Sequence, residues 1–468
     1  MKTKNLILAI LCCLSSFAYA ENTEFLRGGD LSMVTYLEDW KTVFRYQDGT
    51  PGDVFDILES YGINFARLRL YHTPGTSVNN NGTTNRTPVK SPYNNWKGRP
   101  AYYAGTQDIL NLAKRARDHH MTICLSIYLS DFWSGADRQM IPAAWSNVTT
   151  TQMLADSVYN YVKQIMTLMK AQGTTPEYVA IGNETNYGIL FNDLDWKKVS
   201  FGGHTDNITQ CVTLYNRAYD AVKEVSSTSL VVIHHSYGHA GRISICRPFF
   251  QNLVKNGCKF DVVGGSYYPH WASKQGAKDD TYKPSGMLTW AADMRANLGK
   301  PVLIMETGYS WTPYRPVEKN GGEYMGQLEL NGGYNEATEA GQESFIKELH
   351  EAIKTDDNII GYLYWDPIFV DQNVNGYWTE VCWAEQYSGS GDTWWQGGNV
   401  ISNTTLFNYT GYPLSALYRE IASYNPNPPT SVERLPNETP TTAKILRDNQ
   451  ILIIRDNKTY TLMGLEIK

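Results

Sequence analysis

The chain has 468 residues, 42% hydrophobic and 19% charged, with a formal net charge of −6. That composition excludes a disordered or low-complexity chain and supplies enough apolar residues for a large core. The acidic balance argues against nucleic acid or an acidic polysaccharide as partner, since either would favour a basic face; a neutral substrate fits better.

Taken in chain order, the first twenty residues carry Lys2 and Lys4, an apolar run from Leu6 to Leu14 and the small-x-small triplet Ala18-Tyr19-Ala20. This is the pattern of a secretory signal, so the mature chain is expected to begin at Glu21 and to be exported, whether to the periplasm, the cell surface or the medium. The run falls short of the ~20 apolar residues of a spanning helix. Neither Cys12 nor Cys13 has the small residue before it and the polar mature start that lipidation would favour. Loss of the signal leaves 39 basic against 47 acidic residues, a net charge of −8.

Strand-like runs follow at Arg27 to Ser32, Phe65 to Leu70, Thr122 to Tyr128, Tyr178 to Ile181, Leu230 to His234, Asp261 to Tyr268, Val302 to Glu306 and Ile359 to Trp365. Helical patterns lie between them, among others at Thr106 to His119, Thr151 to Ala171, Thr209 to Val225 and Ala337 to Lys354. Eight strand-helix units over about 400 residues predict an α/β fold, a closed (β/α)8 TIM barrel with long loops. A doubly wound open sheet would more often carry a glycine-rich phosphate turn after its first strand, and Arg27-Gly28-Gly29-Asp30 does not match one. The barrel is expected to span 21–424. Asn425-Pro426-Asn427-Pro428-Pro429-Thr430 then opens a Pro/Thr-rich linker, 425–442, and 443–468 reads as a short hairpin-like β tail. Of seven cysteines, Cys124, Cys211, Cys246, Cys258 and Cys382 outlast the signal, with no Cys-x-x-Cys spacing for zinc. Cys246 and Cys258 could bridge a loop or remain buried thiols.

Two apolar strands end in glutamate. Val179-Ala180-Ile181-Gly182-Asn183-Glu184 places an Asn-Glu pair at the mouth of the predicted barrel, where Asn183 can bond a sugar hydroxyl. Alone, Glu184 could as well cap the next helix. Pro301-Val302-Leu303-Ile304-Met305-Glu306 supplies a second carboxylate at a second strand end, and glycosidic hydrolysis needs such a pair: an acid for the leaving oxygen and a carboxylate to attack or to activate water.

Arg27-Gly28-Gly29-Asp30, Arg67-Leu68-Arg69-Leu70, Ser130-Asp131-Phe132-Trp133, Ile181-Gly182-Asn183-Glu184, Ser266-Tyr267-Tyr268-Pro269, Glu306-Thr307-Gly308-Tyr309 and Tyr364-Trp365-Asp366-Pro367, in this order and spacing, resemble glycoside hydrolase family 53, the endo-β-1,4-galactanases. The resemblance implies a secreted, retaining enzyme cutting β-1,4-galactan side chains of pectin, with Glu184 as acid/base on strand four and Glu306 as nucleophile on strand seven. It further implies that Arg69 sits beside the nucleophile and keeps it ionised, that Tyr268 donates a hydroxyl to Glu306, and that Trp365 floors the sugar being cleaved. Asp131, Trp133 and His234 are further candidate sugar contacts, and Tyr187, Trp271, Trp311, Trp378, Trp394 and Trp395 offer aromatic surface in loops after strands. No cofactor and no metal are expected, and the protein should act as a monomer on galactan oligo- and polysaccharides. Departures from the family pattern are Tyr128 in place of a histidine, Ser236 in place of an aspartate, and Trp311 to Pro316 where some bacterial members carry a calcium loop. Because Asn-Glu on strand four also serves mannanases, xylanases and cellulases, these are the nearest rivals; a non-catalytic glycan-binding protein would be expected to have lost a glutamate.

Overall fold

Short runs in which nearly every residue is apolar form strands when both faces of the sheet are covered. In the computed structural model the barrel strands are β1 (Leu26–Asp30), β2 (Phe65–Leu70), β3 (Thr122–Ile127), β4 (Tyr178–Ile181), β5 (Leu230–His235), β6 (Val262–Tyr267), β7 (Val302–Thr307) and β8 (Ile359–Tyr364), of which β1 and β2 depart from that pattern by their arginines. Neighbours are parallel, and β8 pairs with β1 to close an eight-stranded barrel. The structure describes residues 25–39, 41–74, 103–131, 134–136, 139–193, 196–269, 272, 282–313, 336–374, 377–378 and 402–425, together with strand segments between 443 and 467. The expected signal segment, most of the linker, Trp133, Trp271, Cys382, Trp394 and Trp395 therefore lie outside the described residues.

The helices between the strands are α1 (Val34–Asp39), α2 (Val54–Ser60), α3 (Thr106–Asp118), α4 (Thr151–Ala171), α5 (Ile208–Val225), α6 (Ile243–Lys255), α7 (Pro284–Leu298) and α8 (Glu339–Lys354). In α4, the Thr150 hydroxyl caps the first turn by accepting from the Met153 N–H, and Leu154, Val158, Val162, Ile165, Met166 and Met169 make one buried face. The strands and helices expected from pattern are all present, with ends shifted by at most two residues. Among the described residues no helix is long and apolar enough to cross a membrane. Cys124, Cys211, Cys246 and Cys258 are all free thiols, so no bridge joins Cys246 to Cys258.

Inside the barrel, Phe65, Cys124, Ala180, Val232, Val262, Leu303, Met305 and Leu363 form one buried cluster to which every strand from β2 to β8 contributes. On β1 that layer is a glycine: a Cβ on Gly28 would lie 2.6 Å from the Phe65 carbonyl and 2.7 Å from a Leu363 methyl. Two irregularities break the period-two pattern. Gly265 pairs with Ile304 but Ser266 with Glu306, so β7 carries an extra residue, a bulge at Met305 that lets Met305 stay in the core while Glu306 also reaches inward. On β8 the extra residue falls between Ile359 and Tyr362, the partners of Val302 and Ile304. Gly361 sits there with φ +156°, and its pro-Cβ position is 2.1 Å from the Leu26 carbonyl of β1.

The end of the barrel away from the glutamates is fastened by both ends of the domain. Arg27 donates through Nε to the Gly62 carbonyl, Nη1 to Phe25 and Nη2 to Tyr424. His350 of α8 stands between Glu420 and the Tyr362 hydroxyl, 3.0 Å from each. Residues 427–468 form a separate unit whose strands Ala443–Arg447, Gln450–Arg455, Lys458–Thr461 and Glu466–Ile467 make an antiparallel sheet in chain order. This is a four-stranded sheet where a hairpin-like tail was expected.

Because a side chain at Gly361 must displace β1 backbone, Gly361→Ala is expected to cost about 2 kcal/mol or more and to lower the melting temperature by several degrees. Thermal unfolding of the variant beside Gly299→Ala, whose Cβ meets nothing within 4 Å, separates the packing clash from the backbone preference. An unchanged melting temperature for Gly361→Ala would show that the bulge tolerates a side chain.

Candidate active site

Successive residues of a strand face opposite sides, so Arg67 and Arg69 of β2 both point into the barrel, one step apart in height. Both are fully buried. An unpaired buried guanidinium would be prohibitively costly, and each is met by acceptors. Arg67 spends all five N–H groups: Nε on the Ser126 hydroxyl, Nη1 on the Met305 carbonyl and on Glu306 Oε1 at 2.6 Å, Nη2 on the Tyr128 hydroxyl and on Asn183 Oδ1 at 2.7 Å. The cation beside Glu306 is thus Arg67. Arg69, expected in that place, binds Asp30 (3.1 Å) and Asp366 (3.2 Å) instead, because the β7 bulge sets Glu306 at the height of the lower arginine.

Glu306 is 4% exposed and takes its second hydrogen bond from the Tyr268 hydroxyl at 3.1 Å, as expected of Tyr268. Burial, followed by the charges of Glu306 and Glu184, pushes the Tyr268 phenol well above its ordinary pKa, which keeps it a neutral donor. Glu184 is half-buried and lies just past β4, where Gly182 (φ +76°) and Glu184 itself (φ +49°) adopt left-handed backbone. For a non-glycine residue this is a strained conformation of the kind that clusters at functional sites. Its Oε1 accepts from the Ser266 hydroxyl at 2.6 Å, Ser266 meets His234 Nε2 at 2.9 Å, and the Glu184 N–H points at His234 Nδ1 at 3.4 Å.

The remaining expected sugar contacts divide in two. Asn183 and Trp365 border the glutamates: Asn183 holds Arg67 through Oδ1 and the Ser134 carbonyl through Nδ2, while Trp365 is half-buried and its backbone N–H bonds Thr307. Asp131 and His234 have no exposed surface. The Asp131 carboxylate is a loop tie, accepting from the Ala143 N–H at 2.8 Å, and His234 serves Glu184 and Ser266 rather than facing the mouth. Tyr128 and Ser236, where the family pattern is broken, also make internal contacts. Tyr128 is buried under Arg67, and Ser236 exchanges two hydrogen bonds with Asn186. Tyr187, three residues beyond Glu184, is 53% exposed and its ring lies parallel to His204. Pattern reading missed Ser266, Asp30 and Asp366. The signal available for Asp366 was its place beside Trp365 at the end of β8.

Among the described residues, Asp30, Glu306 and Asp366 share this buried region with two arginines, Arg67 and Arg69. Burial, outweighing the attraction of Arg69, raises the Asp366 carboxyl to about 8, with Asp30 and Glu306 pushing the same way. Among the described residues no group of three or more His, Cys, Asp or Glu could hold a metal ion.

Two carboxylates brought to one mouth by the fourth and seventh strands are what glycosidic bond cleavage asks of such a barrel, and the class of protein is a glycoside hydrolase. Residues 26–419 match the model of glycosyl hydrolase family 53, and the chain belongs to that family. It is 28% identical over 418 residues to an endo-beta-1,4-galactanase of Bacillus subtilis, covering 85% of each chain, and 27% identical over 379 residues to an arabinogalactan endo-beta-1,4-galactanase of Cellvibrio japonicus, covering 79% of this chain and 87% of that one. In fold it is similar to a family 53 catalytic domain from Ignisphaera aggregans (TM-score 0.66, 24% identity, 87% of this chain and 98% of that one). It is also similar to a fungal β-1,4-galactanase structure (TM-score 0.61, 20% identity, 86% and 98%).

The raised Asp366 pKa has a thermodynamic sign. The native state holds a proton that the unfolded chain, with its carboxyl near 3.8, has lost, so the stabilisation is complete below the unfolded value and disappears as pH rises through about 8. Wild-type protein should therefore lose stability between pH 4 and pH 8 more steeply than Asp366→Asn, measured by denaturant unfolding at each pH. Parallel curves would show that Asp366 is ionised throughout.

Proposed function

We propose that the chain is an exported, retaining endo-β-1,4-galactanase in which Glu306 is the nucleophile and Glu184 the general acid/base. The observation that carries the assignment of roles is the unequal support of the two carboxylates. Glu306 is buried and bonded at 2.6 Å to a permanent cation, Arg67, which suits a group that must attack as an anion. Glu184 is half-buried and accepts from a neutral hydroxyl, that of Ser266, which suits a group that must carry a proton in one step and lack it in the next. In the first step Glu184 gives its proton to the glycosidic oxygen as Glu306 bonds to the anomeric carbon. In the second, Glu184 takes a proton from the water that displaces the Glu306 ester. The choice of β-1,4-galactan rests on family membership and on the galactanase names of the two bacterial relatives, and the acidic net charge suits a neutral polysaccharide. Export rests on the signal pattern of residues 1–20.

Three measurements test this reading. Turnover of pectic galactan beside mannan, xylan and cellulose tests the substrate, and preference for any of the latter three would overturn it. With an activated aryl galactoside, azide should accelerate Glu184→Ala and yield the β-galactosyl azide, whereas Glu306→Ala should lose activity on both aryl substrate and galactan; β-azide from Glu306→Ala would reverse the roles. Arg67→Lys keeps the charge but loses the five-way fork, so kcat on galactan should fall by about 100-fold or more. Arg69→Lys should instead cost mainly stability, about 3 kcal/mol in denaturant unfolding. Equal losses of kcat would show that the two arginines share one role.

A further inference from the structure

The hydrogen bonds around Glu184 form a closed circuit whose direction can be derived. The Glu184 backbone N–H can only donate, so His234 Nδ1, 3.4 Å away, receives it with a lone pair. The ring is neutral: burial first, then the nearby charges of Arg67 and His235, holds its pKa well below the ordinary histidine value. Its one proton therefore lies on Nε2 and is donated to Ser266 Oγ at 2.9 Å. Ser266 is 3% exposed, and its own hydroxyl proton is left for Glu184 Oε1, 2.6 Å away. Among the described residues, the ionisable groups facing this circuit include Arg67 from β2, His235 next along β5, Tyr268 beyond the end of β6 and Glu306 from β7. None of these contacts reverses it, because the backbone N–H at its origin cannot change polarity.

We propose that His234 and Ser266 are a one-way positioning relay that reserves Oε1 of Glu184 as a hydrogen-bond acceptor and confines the transferable proton to Oε2. The inference rests on Glu184 being the acid/base. In the first step Oε2–H passes its proton to the glycosidic oxygen as the bond from that oxygen to the anomeric carbon breaks and Glu306 forms its ester. In the second step Oε2 takes a proton from the attacking water as the ester bond to Glu306 breaks. Oε1 keeps the Ser266 hydrogen bond throughout, so the carboxyl neither rotates nor offers its proton on the wrong oxygen. The strained backbone of Glu184 belongs to the same device, since it turns the N–H toward His234.

Without the Ser266 hydroxyl the anion of Glu184 loses a donor and the proton is free to occupy either oxygen. Ser266→Ala should lower kcat/KM on galactan by about 10-fold and move the basic limb of its pH profile upward. On 2,4-dinitrophenyl β-1,4-galactobioside, whose leaving group needs no proton, kcat/KM should stay within about 2-fold of wild type. Ser266→Thr, which keeps the hydroxyl, should return the basic limb toward its wild-type position. An unmoved limb in Ser266→Ala, or an equal loss on both substrates, would overturn the relay. A readout independent of activity is nitrogen NMR of 15N-histidine-labelled protein, with His234 assigned by the signal lost in His234→Asn. The relay requires a proton on Nε2 and none on Nδ1 from pH 5 to 8, and the opposite tautomer or a charged ring overturns it. Wild-type protein inactive on galactan would overturn the substrate reading, while the tautomer would still decide the relay.

Discussion

The guanidinium of Arg67 is the contact on which the other parts of the active centre depend. It lies in the barrel interior with no solvent to satisfy it, so each of its N–H groups had to be matched by an acceptor, and those acceptors come from β3 and the residue after it, from β7 and from the segment just past β4. One of them is the Met305 carbonyl, at the point where β7 gains its extra residue. Arg67 therefore both holds the bulge that turns Glu306 inward and binds the carboxylate so delivered. Asn183, which precedes Glu184, is held by the same group. A geometry shared between two distant strands is in this way referred to a single rigid plane, the arrangement that pre-organised catalysis needs.

Much of this was legible beforehand, for reasons specific to each element. β4 is an apolar run and β2 an apolar run broken only by Arg67 and Arg69, and the spans of both agree with the expected ones to the residue. The two glutamates at strand ends needed only the rule that barrel chemistry lies at the carboxyl ends of strands. The partner of Glu306 was not legible. Arg67 and Arg69 share one face of β2, and the choice between them depends on how far up β7 the carboxylate stands, which is fixed by a one-residue bulge that no alternation pattern in Val302–Thr307 announces. Ser266 was hidden for a different reason: a serine within a Ser-Tyr-Tyr run carries no chemistry until a histidine from the neighbouring strand is placed against it. Asp131 and His234 were candidate sugar contacts through the family resemblance, and both are fully buried.

The surroundings of the two carboxylates also show how one barrel serves two opposite demands. Around Glu306 the partners are charged or buried donors, with Arg69 held by Asp30 and by the Asp366 carboxyl a layer above. Glu184 is bonded by a neutral serine hydroxyl backed by a histidine. Tyr128, a departure from the family pattern, keeps this division, since a phenol under Arg67 supplies an acceptor without a titratable charge in the working range: burial raises its pKa well above the ordinary value.

The clasp at the far end of the barrel bears on how the protein is made. Arg27 of the first strand finds one of its acceptors in Tyr424, 397 residues later, and His350 is bonded by Glu420 from the same closing segment. The seam between β1 and β8 is thus sealed by the last residues of the domain to leave the ribosome. Until β8 arrives β1 can pair with β2 alone, and until residues 420–424 follow the nascent polypeptide lacks its final fastening. A lock whose key is cut last defers the final fastening of the barrel until synthesis of the whole domain is complete.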